Sequence, residues 1–537
     1  MNRSDNLTKQ ETGKKQETSV AEFIFLLYFA VMLFARAIGL YEGMTAYNIT
    51  LVVGMLLFAA KIFLTENTLF EYCWMAVLLL ISLIVYHNTG EKGLLVYFTM
   101  MLGIKGVSLK KAFQTGGVIW SIAFICLLIF SIGGLIPETY FLHIKNGFGY
   151  ILCHSLGYPH PNVLHIAYIV FMAFITYQMG EVRHQKLFIT TGLLFLGNLF
   201  VFMYSVSFTG LIAATVFLLF NLYFQLRTHL SLIEKTLVQL IFPFCVAFSV
   251  MGPVMIQGRL FEIIDKALNT RYTLSNYFLT QQPITLFGTR FIVPNYRYTM
   301  DCSYVYAFMQ LGVIPFILIC LLFFLLIRDY LRQSKRIELA IILSLCIAGV
   351  TEPFMFNLAY KNLIFLFLGE YLFRTSLTVS SALPKWANRE MFFIKVGNRP
   401  VDGRFLLADN LYNNAVNIMH NARRDSKKYL IIAAVAGLAA SGIYIVSVPV
   451  PNTVYVNEET INESDTVEPQ YLSIQGVQKI RDEGNLVLDY MGDKSPMYAF
   501  SGNIAVVEYI RKDISIGLGI MIAINAILMI MRGSRNK

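Results

Sequence analysis

The chain has 537 residues; 56% are hydrophobic, only 14% are charged, and the formal net charge is +10. A mean hydropathy of +0.59 excludes a string of soluble domains for most of that length. The excess of Lys and Arg sits largely in short loops, so it points to the inner side of a membrane protein and away from nucleic acid.

Residues 1–19 are polar and lysine-bearing and read as a cytoplasmic tail. The run Val20–Leu40 is too long for a cleaved signal peptide and lacks a small-residue cleavage site, so it reads as a signal anchor. Apolar runs near membrane-crossing length then recur almost to the C-terminus, roughly 14 in all. In lipid only helices that satisfy their own backbone can do this, which predicts an all-α polytopic membrane protein. Inner loops are marked by Lys105, Lys110 and Lys111, by Arg183 and Lys186, by Arg227 and Lys235, and by Arg328, Arg332, Lys335 and Arg336. The tail residues Arg532, Arg535 and Lys537 also fall inside, so both termini are expected in the cytoplasm. Outer loops then fall near 41–46, 87–92, 137–162, 257–301 and 352–357.

The expected organisation is a polytopic domain over 20–373, a core bundle of about 12 helices with a large outer loop at 257–301. A basic cytoplasmic linker, 374–428, leads to an appended module, 429–537, in which two further spans flank an outer segment, 449–512. That segment reads as strand-like at Asn485–Tyr490 and Ile504–Tyr509. No internal repeat is evident, which weighs against many secondary transporters. The seven cysteines lie mostly in spans; Cys153 and Cys302 both reach the outer side, a weak hint of a disulfide.

Long ordered loops are usually functional. In 257–301, Leu260, Ile263, Ile264, Ala267 and Leu268 recur at helical spacing, predicting an amphipathic helix on the membrane surface. Arg259, Lys266, Arg271, Arg290 and Arg297 lie on a side where topology calls for no positive charge. They read either as solvated or headgroup contacts or as an oxyanion site, for which the planar guanidinium suits phosphate. Tyr158-Pro159-His160-Pro161-Asn162 opens a span; His160 is an acid, base or phosphate ligand, or the stretch is a helix start capped by Asn162. Glu352 near a span end is a base candidate or an ion-pair partner, and Asp301 is a second carboxylate candidate or a helix cap. No Gly-rich loop ending in Lys-Ser or Lys-Thr, no HExxH and no paired CxxC occurs, so neither an ATP motor nor a metal site is indicated. The first outer loop offers only Glu42 and no Asp-x-Asp, which disfavours a metal-dependent glycosyltransferase of the dolichol-sugar kind.

Four pieces in order carry a resemblance. His160-Pro161-Asn162 opens a span; Arg271 precedes a Leu286-Phe287-Gly288 turn; Asp301-Cys302-Ser303-Tyr304 leads to Gln310-Leu311-Gly312; Glu352-Pro353 is followed by Asn357 and Asn362. Over 20–373 the chain resembles a Wzy-type polysaccharide repeat-unit polymerase of the O-antigen ligase/polymerase superfamily, of the Gram-positive capsule or exopolysaccharide type. The resemblance implies a metal-independent glycosyltransferase without cofactor in a bacterial cytoplasmic membrane. Its partners would be undecaprenyl-pyrophosphate-linked oligosaccharides and membrane lipid, with a flippase and a chain-length regulator nearby. It implies that Arg271 and Arg290 stabilise the leaving pyrophosphate, that Glu352 or His160 takes the acceptor proton, and that Asn162, Asp301, Tyr304, Arg259 and Asn357 bind substrate. The alternatives are a lipid-linked oligosaccharide flippase and ligase-like transfer to another acceptor.

Overall fold

The computed structural model describes residues 18–535 apart from 146–148, 228, 295–297, 381, 392–393, 402–425, 458–460, 463–469, 489, 491 and 493. Residues 1–17 of the expected tail, 381, 392–393 and 402–425 of the expected linker, and Arg297 and Lys537 lie outside the described residues. About 70% of the molecule is helical. Ten helices are long and apolar enough to cross a membrane, among the described residues. The protein is therefore a multi-pass helical membrane protein.

The first half runs α1 (Val20–Ala37), α2 (Thr45–Phe63), α3 (Leu69–Thr89), α4 (Gly93–Gly103) and α5 (Leu109–Ile132), then a hairpin of β1 (Tyr140–Lys145) and β2 (Gly149–His154). It continues with α6 (Pro161–Met179), α7 (His184–Ser205), α8 (Phe208–Leu226), α9 (Leu232–Val250), α10 (Gly258–Ala267) and α11 (Arg271–Gln281). After a turn of α-helix and a π-helical turn, Ala307–Leu311, come α12 (Val313–Gln333), α13 (Arg336–Ala348) and α14 (Ile364–Ser380).

Side-chain pattern decides which helices sit in the middle. Helix α4 carries no charged residue and is almost wholly buried, and α13 is buried from Leu339 to Cys346 beyond a first turn that holds Arg336 and Glu338; a helix without a polar face belongs inside. Both fall short of crossing length: at about 1.5 Å per residue the 11 residues of α4 reach roughly half of the 30 Å hydrocarbon core. The roughly 14 apolar runs near crossing length in the sequence include α4 and α13, which are shorter than a crossing. Peripheral α2, α3 and α7 instead expose apolar stripes, among them Val52, Leu56, Leu80 and Leu193. Polar signals start the helices: capping boxes at Thr68/Glu71 and Ser231/Glu234, and Pro161 just after His160.

The C-terminal part comprises α15 (Ser426–Ser447), β3 (Thr453–Asn457), β4 (Ile461–Asn462), β5 (Gln470–Leu472), α16 (Ile474–Asp482), β6 (Leu486–Leu488), β7 (Ser495–Ser501) and α17 (Asn503–Arg535). Helices α15 and α17 cross closely, with Gly437 and Gly517 at the contact. A four-stranded sheet runs β6-β3-β7-β5, parallel between β6 and β3 and antiparallel elsewhere. Strand β4 adds in parallel to β1, Tyr140 opposite Ile461. Tyr140, Leu142 and Leu152 of the hairpin share one core with Val454, Val456, Tyr498, Phe500 and Ile504. The C-terminal part thus packs on the hairpin, and Arg511 and Ser515 tie it to Met203 and Tyr204 at the end of α7. These sheets qualify the all-α expectation: helices fill the bundle, the larger sheets form at the face carrying the hairpin, and two short pairings, Thr18–Ser19 with Pro400–Val401 and Asn67–Thr68 with Glu390–Met391, form where α1 and α3 begin.

The Asn485–Tyr490 stretch contains strand β6, but Ile504–Tyr509 is the start of α17. Its buried face is Ile504, Ala505, Glu508, Tyr509 and Arg511, a helical spacing disguised by two buried charges. All seven cysteines are free, so the hinted disulfide does not form.

Candidate functional site

Between α13 and α14 the chain leaves α-helical geometry over 349–363, apart from a single 3-10 turn at Pro353–Met355. Irregular backbone beside a bilayer survives where protein buries it, and Glu352, Lys361 and Asn362 are all buried here. The Glu352 carboxylate accepts hydrogen bonds from Arg271 Nη2 at 2.9 Å and from the Thr209 hydroxyl at 3.2 Å. Its carbonyl accepts the Ser303 hydroxyl at 2.5 Å, so residues 301–304 are anchored to the same segment.

Arg271 is swung inward by its approach. Helix α10 is the expected amphipathic helix, with Leu260 and Ile263 exposed. Asn269 and Thr270 follow with φ of 52° and 65°, a left-handed bend that non-glycine residues adopt at a cost. Asp265 braces it by accepting the Thr273 N–H and hydroxyl. The guanidinium, 6% exposed, also donates from Nε to the Thr351 carbonyl at 2.6 Å and from Nη1 to the Leu268 carbonyl at 3.2 Å. Asp301 Oδ2 lies 4.0 Å from Nε. Burial pushes the Glu352 carboxyl up to about 7; Arg271 opposes this and Asp301 adds to it.

Two more cations flank the pair. Lys361 Nζ reaches the Val163 carbonyl at 3.4 Å and lies 5.7 Å from the Tyr158 ring centre. Burial and then the charge of Arg36 bring Lys361 down to about 7, against the pull of Glu352. Arg36 donates to the Leu40 and Ala359 carbonyls and sits over Tyr47.

An apolar groove of about 590 Å³ runs to this cluster between α8 and α9. Ile212, Leu240 and Phe244 line it and are exposed on the bundle flank. Ala267 and Leu268 border one part of it, and Thr209 and Thr351 are also in its lining. Those two threonines are the ones that hold Glu352 and Arg271.

Arg271, Glu352 and Asp301 thus converge, and the other sequence candidates do not join them. Arg290 is exposed and packs against Gly90, while Arg259 is exposed on α10. His160, not Asn162, caps α6: its Nδ1 accepts the Asn162 N–H at 3.1 Å, and its ring rests against Phe141. The Tyr304 hydroxyl donates to the Cys346 carbonyl inside the bundle, and Asn357 Oδ1 accepts the Ala359 N–H in a local turn. The two glycine turns meet: Gly288 and Gly312, at φ of 77° and 97°, touch backbone to backbone, so a Cβ at either would collide. Sequence reasoning missed Thr209, Lys361 and Arg36. The last two carried a signal, since each is a cation in or ending an apolar run on a side where loops need none.

Fold and site together define a multi-pass membrane protein with a buried ion cluster at the edge of an apolar flank groove. Compared with family models, with curated proteins and with solved structures, the chain matches none.

Proposed function

We propose that the protein polymerises undecaprenyl-pyrophosphate-linked oligosaccharide repeat units into capsular or exopolysaccharide at the outer face of a bacterial cytoplasmic membrane. The observation that carries this is the meeting of the apolar groove with the Arg271–Glu352 pair. A groove open to lipid beside a buried guanidinium suits an amphiphile with a long apolar tail and an anionic head. A polyprenyl pyrophosphate has that form.

In this scheme the donor's tail occupies the groove and its pyrophosphate meets Arg271. Three of the five guanidinium N–H donors are engaged, leaving two for phosphate oxygens. The incoming anion competes with Glu352 for Arg271 and releases the carboxylate. The acceptor's sugar hydroxyl attacks the donor's anomeric carbon; its proton passes to Glu352. The anomeric C–O bond breaks, and the pyrophosphate leaves with the electron pair, stabilised by Arg271. Arg36 adds positive potential behind the pair, and Lys361, brought down to about 7, adds part of a charge at neutral pH. Arg290 and Arg259, exposed outside the cluster, would guide the substrate's charged or sugar parts, and His160 would position α6.

The proposed topology has both termini in the cytoplasm, the hairpin face outside, a core of about 12 helices and two further spans in the C-terminal part. A flippase that delivers repeat units and a chain-length regulator are the expected neighbours. The test is the lipid-linked glycan profile of cells lacking the protein, with sidedness resolved. Single repeat units accumulating on lipid at the outer face support polymerisation. Accumulation at the inner face overturns it in favour of transport.

A further inference from the structure

A second cavity, about 600 Å³, lies on the hairpin face between the end of α5 and the hairpin on one side and β6 with α17 on the other. Its volume falls in the range of small-molecule sites, about 300–1,000 Å³. A buried charge cluster forms one wall. His154 Nε2 is 2.9 Å from Glu508 and its Nδ1 is 3.2 Å from Glu138. Arg511 pairs with Glu508 and donates to the Leu152 carbonyl at 2.9 Å and the Met203 carbonyl at 2.8 Å. Burial alone would discharge His154, but Glu508 and Glu138 outweigh it and hold the imidazole up at about 9. At neutral pH the two cations and two carboxylates of this wall therefore cancel.

The remaining described charges on the lining are Arg481 and Lys512, both exposed, which leaves the cavity two positive charges in excess. Arg511, 2% exposed, also lines it, and its Nη2 has no hydrogen-bond partner among the described residues. Tyr140, Tyr204 and Tyr490 supply aromatic lining, and aromatic side chains offer an apolar body with a polar tip. One wall is strand β6 of a sheet lying outside the helical bundle, where a water-borne ligand has access.

We propose that this cavity binds an acidic glycan, a short saccharide segment whose carboxylate or phosphate groups meet Arg481, Arg511 and Lys512 while its rings lie against the tyrosines. The core and the C-terminal part each contribute a wall, so the C-terminal part completes the site. It is separate from the Arg271 cluster and does not require the polymerase scheme.

The experiment uses the full chain in phosphatidylcholine nanodiscs and measures calorimetric binding of tetragalacturonate, of maltotetraose as the neutral counterpart, and of inorganic phosphate. Tetragalacturonate should bind at least about tenfold more tightly than either. Arg481→Glu with Lys512→Glu should weaken it by about a hundredfold, since each reversal replaces an attraction by a repulsion. Both side chains are exposed, so the fold should be kept; the milder pair Arg481→Gln with Lys512→Gln should weaken binding about tenfold. Equal binding of maltotetraose or phosphate, or undiminished binding by both pairs of variants, would overturn the proposal. So would loss of tetragalacturonate binding when phosphatidylglycerol is added to the nanodiscs, which would assign the cavity to lipid headgroups.

Discussion

Replacing Glu352 by Gln removes the proposed base while changing almost nothing in shape. Arg271 would keep its bonds to the Thr351 and Leu268 carbonyls, Asp301 would remain 4.0 Å from Nε, and a Gln oxygen can still accept from Nη2. Stranding a buried cation outright costs about 3–5 kcal/mol; with those partners in place the loss should be well below that, and the thermal midpoint in detergent should move little. Activity should respond far more, because a positioned general base contributes about 10²–10⁴ in rate. Glu352 is held up at about 7, so the wild-type rate should rise with pH through neutrality as the carboxylate forms, and the Gln variant should lose that limb. Stability has the opposite sign. Between the ordinary value of 4.5 and about 7 the folded protein keeps a proton that the unfolded chain gives up, so stability falls as pH rises through that window. The assay is the initial rate of repeat-unit elongation in proteoliposomes, from about pH 5.5 to about pH 9. A Gln variant with wild-type rate and an unchanged pH profile would refute the assignment and leave Glu352 as the counter-ion of Arg271.

Arg271→Ala should lower elongation by about 10²–10³ and leave single repeat units on lipid, and Arg271→Lys should rescue only in part, because an ammonium lacks the planar fork; wild-type polymer length in either would remove the pyrophosphate role. Ile212→Trp fills the groove from an exposed position and should raise KM for a long-chain polyprenyl donor about tenfold with kcat nearly unchanged; equal kinetics for long-chain and short-chain donors would show that the tail lies elsewhere. His154 is raised to about 9 from an ordinary 6.5, so its contribution to stability is complete below about pH 6.5 and lost as pH rises through 9. The thermal midpoint should therefore drop across that window in the wild type, and His154→Gln should flatten the drop.

The sequence by itself determined the class of the molecule, because the bilayer imposes a rule that each segment must obey alone: about 20 apolar residues, backbone satisfied within the helix, cations preferentially on one side. The amphipathic helix over 258–267 was legible for the same local reason, and so were Arg271, Glu352 and Asp301 as isolated anomalies of charge. Their meeting was not legible. Arg271 and Glu352 are 81 residues apart, and only the bend at Asn269–Thr270 and the break after α13 aim them at each other. Tertiary packing also decided which apolar runs are short core helices, since a buried segment and a crossing segment share the same composition. It turned Ile504–Tyr509 into a helix by burying Glu508 and Arg511 against His154, 354 residues from Glu508 in the chain, which no local period foretells. Lys361 and Arg36 became part of a site through the same long-range closure: a charge in an apolar run announces itself in the sequence, but its partner is chosen by the fold.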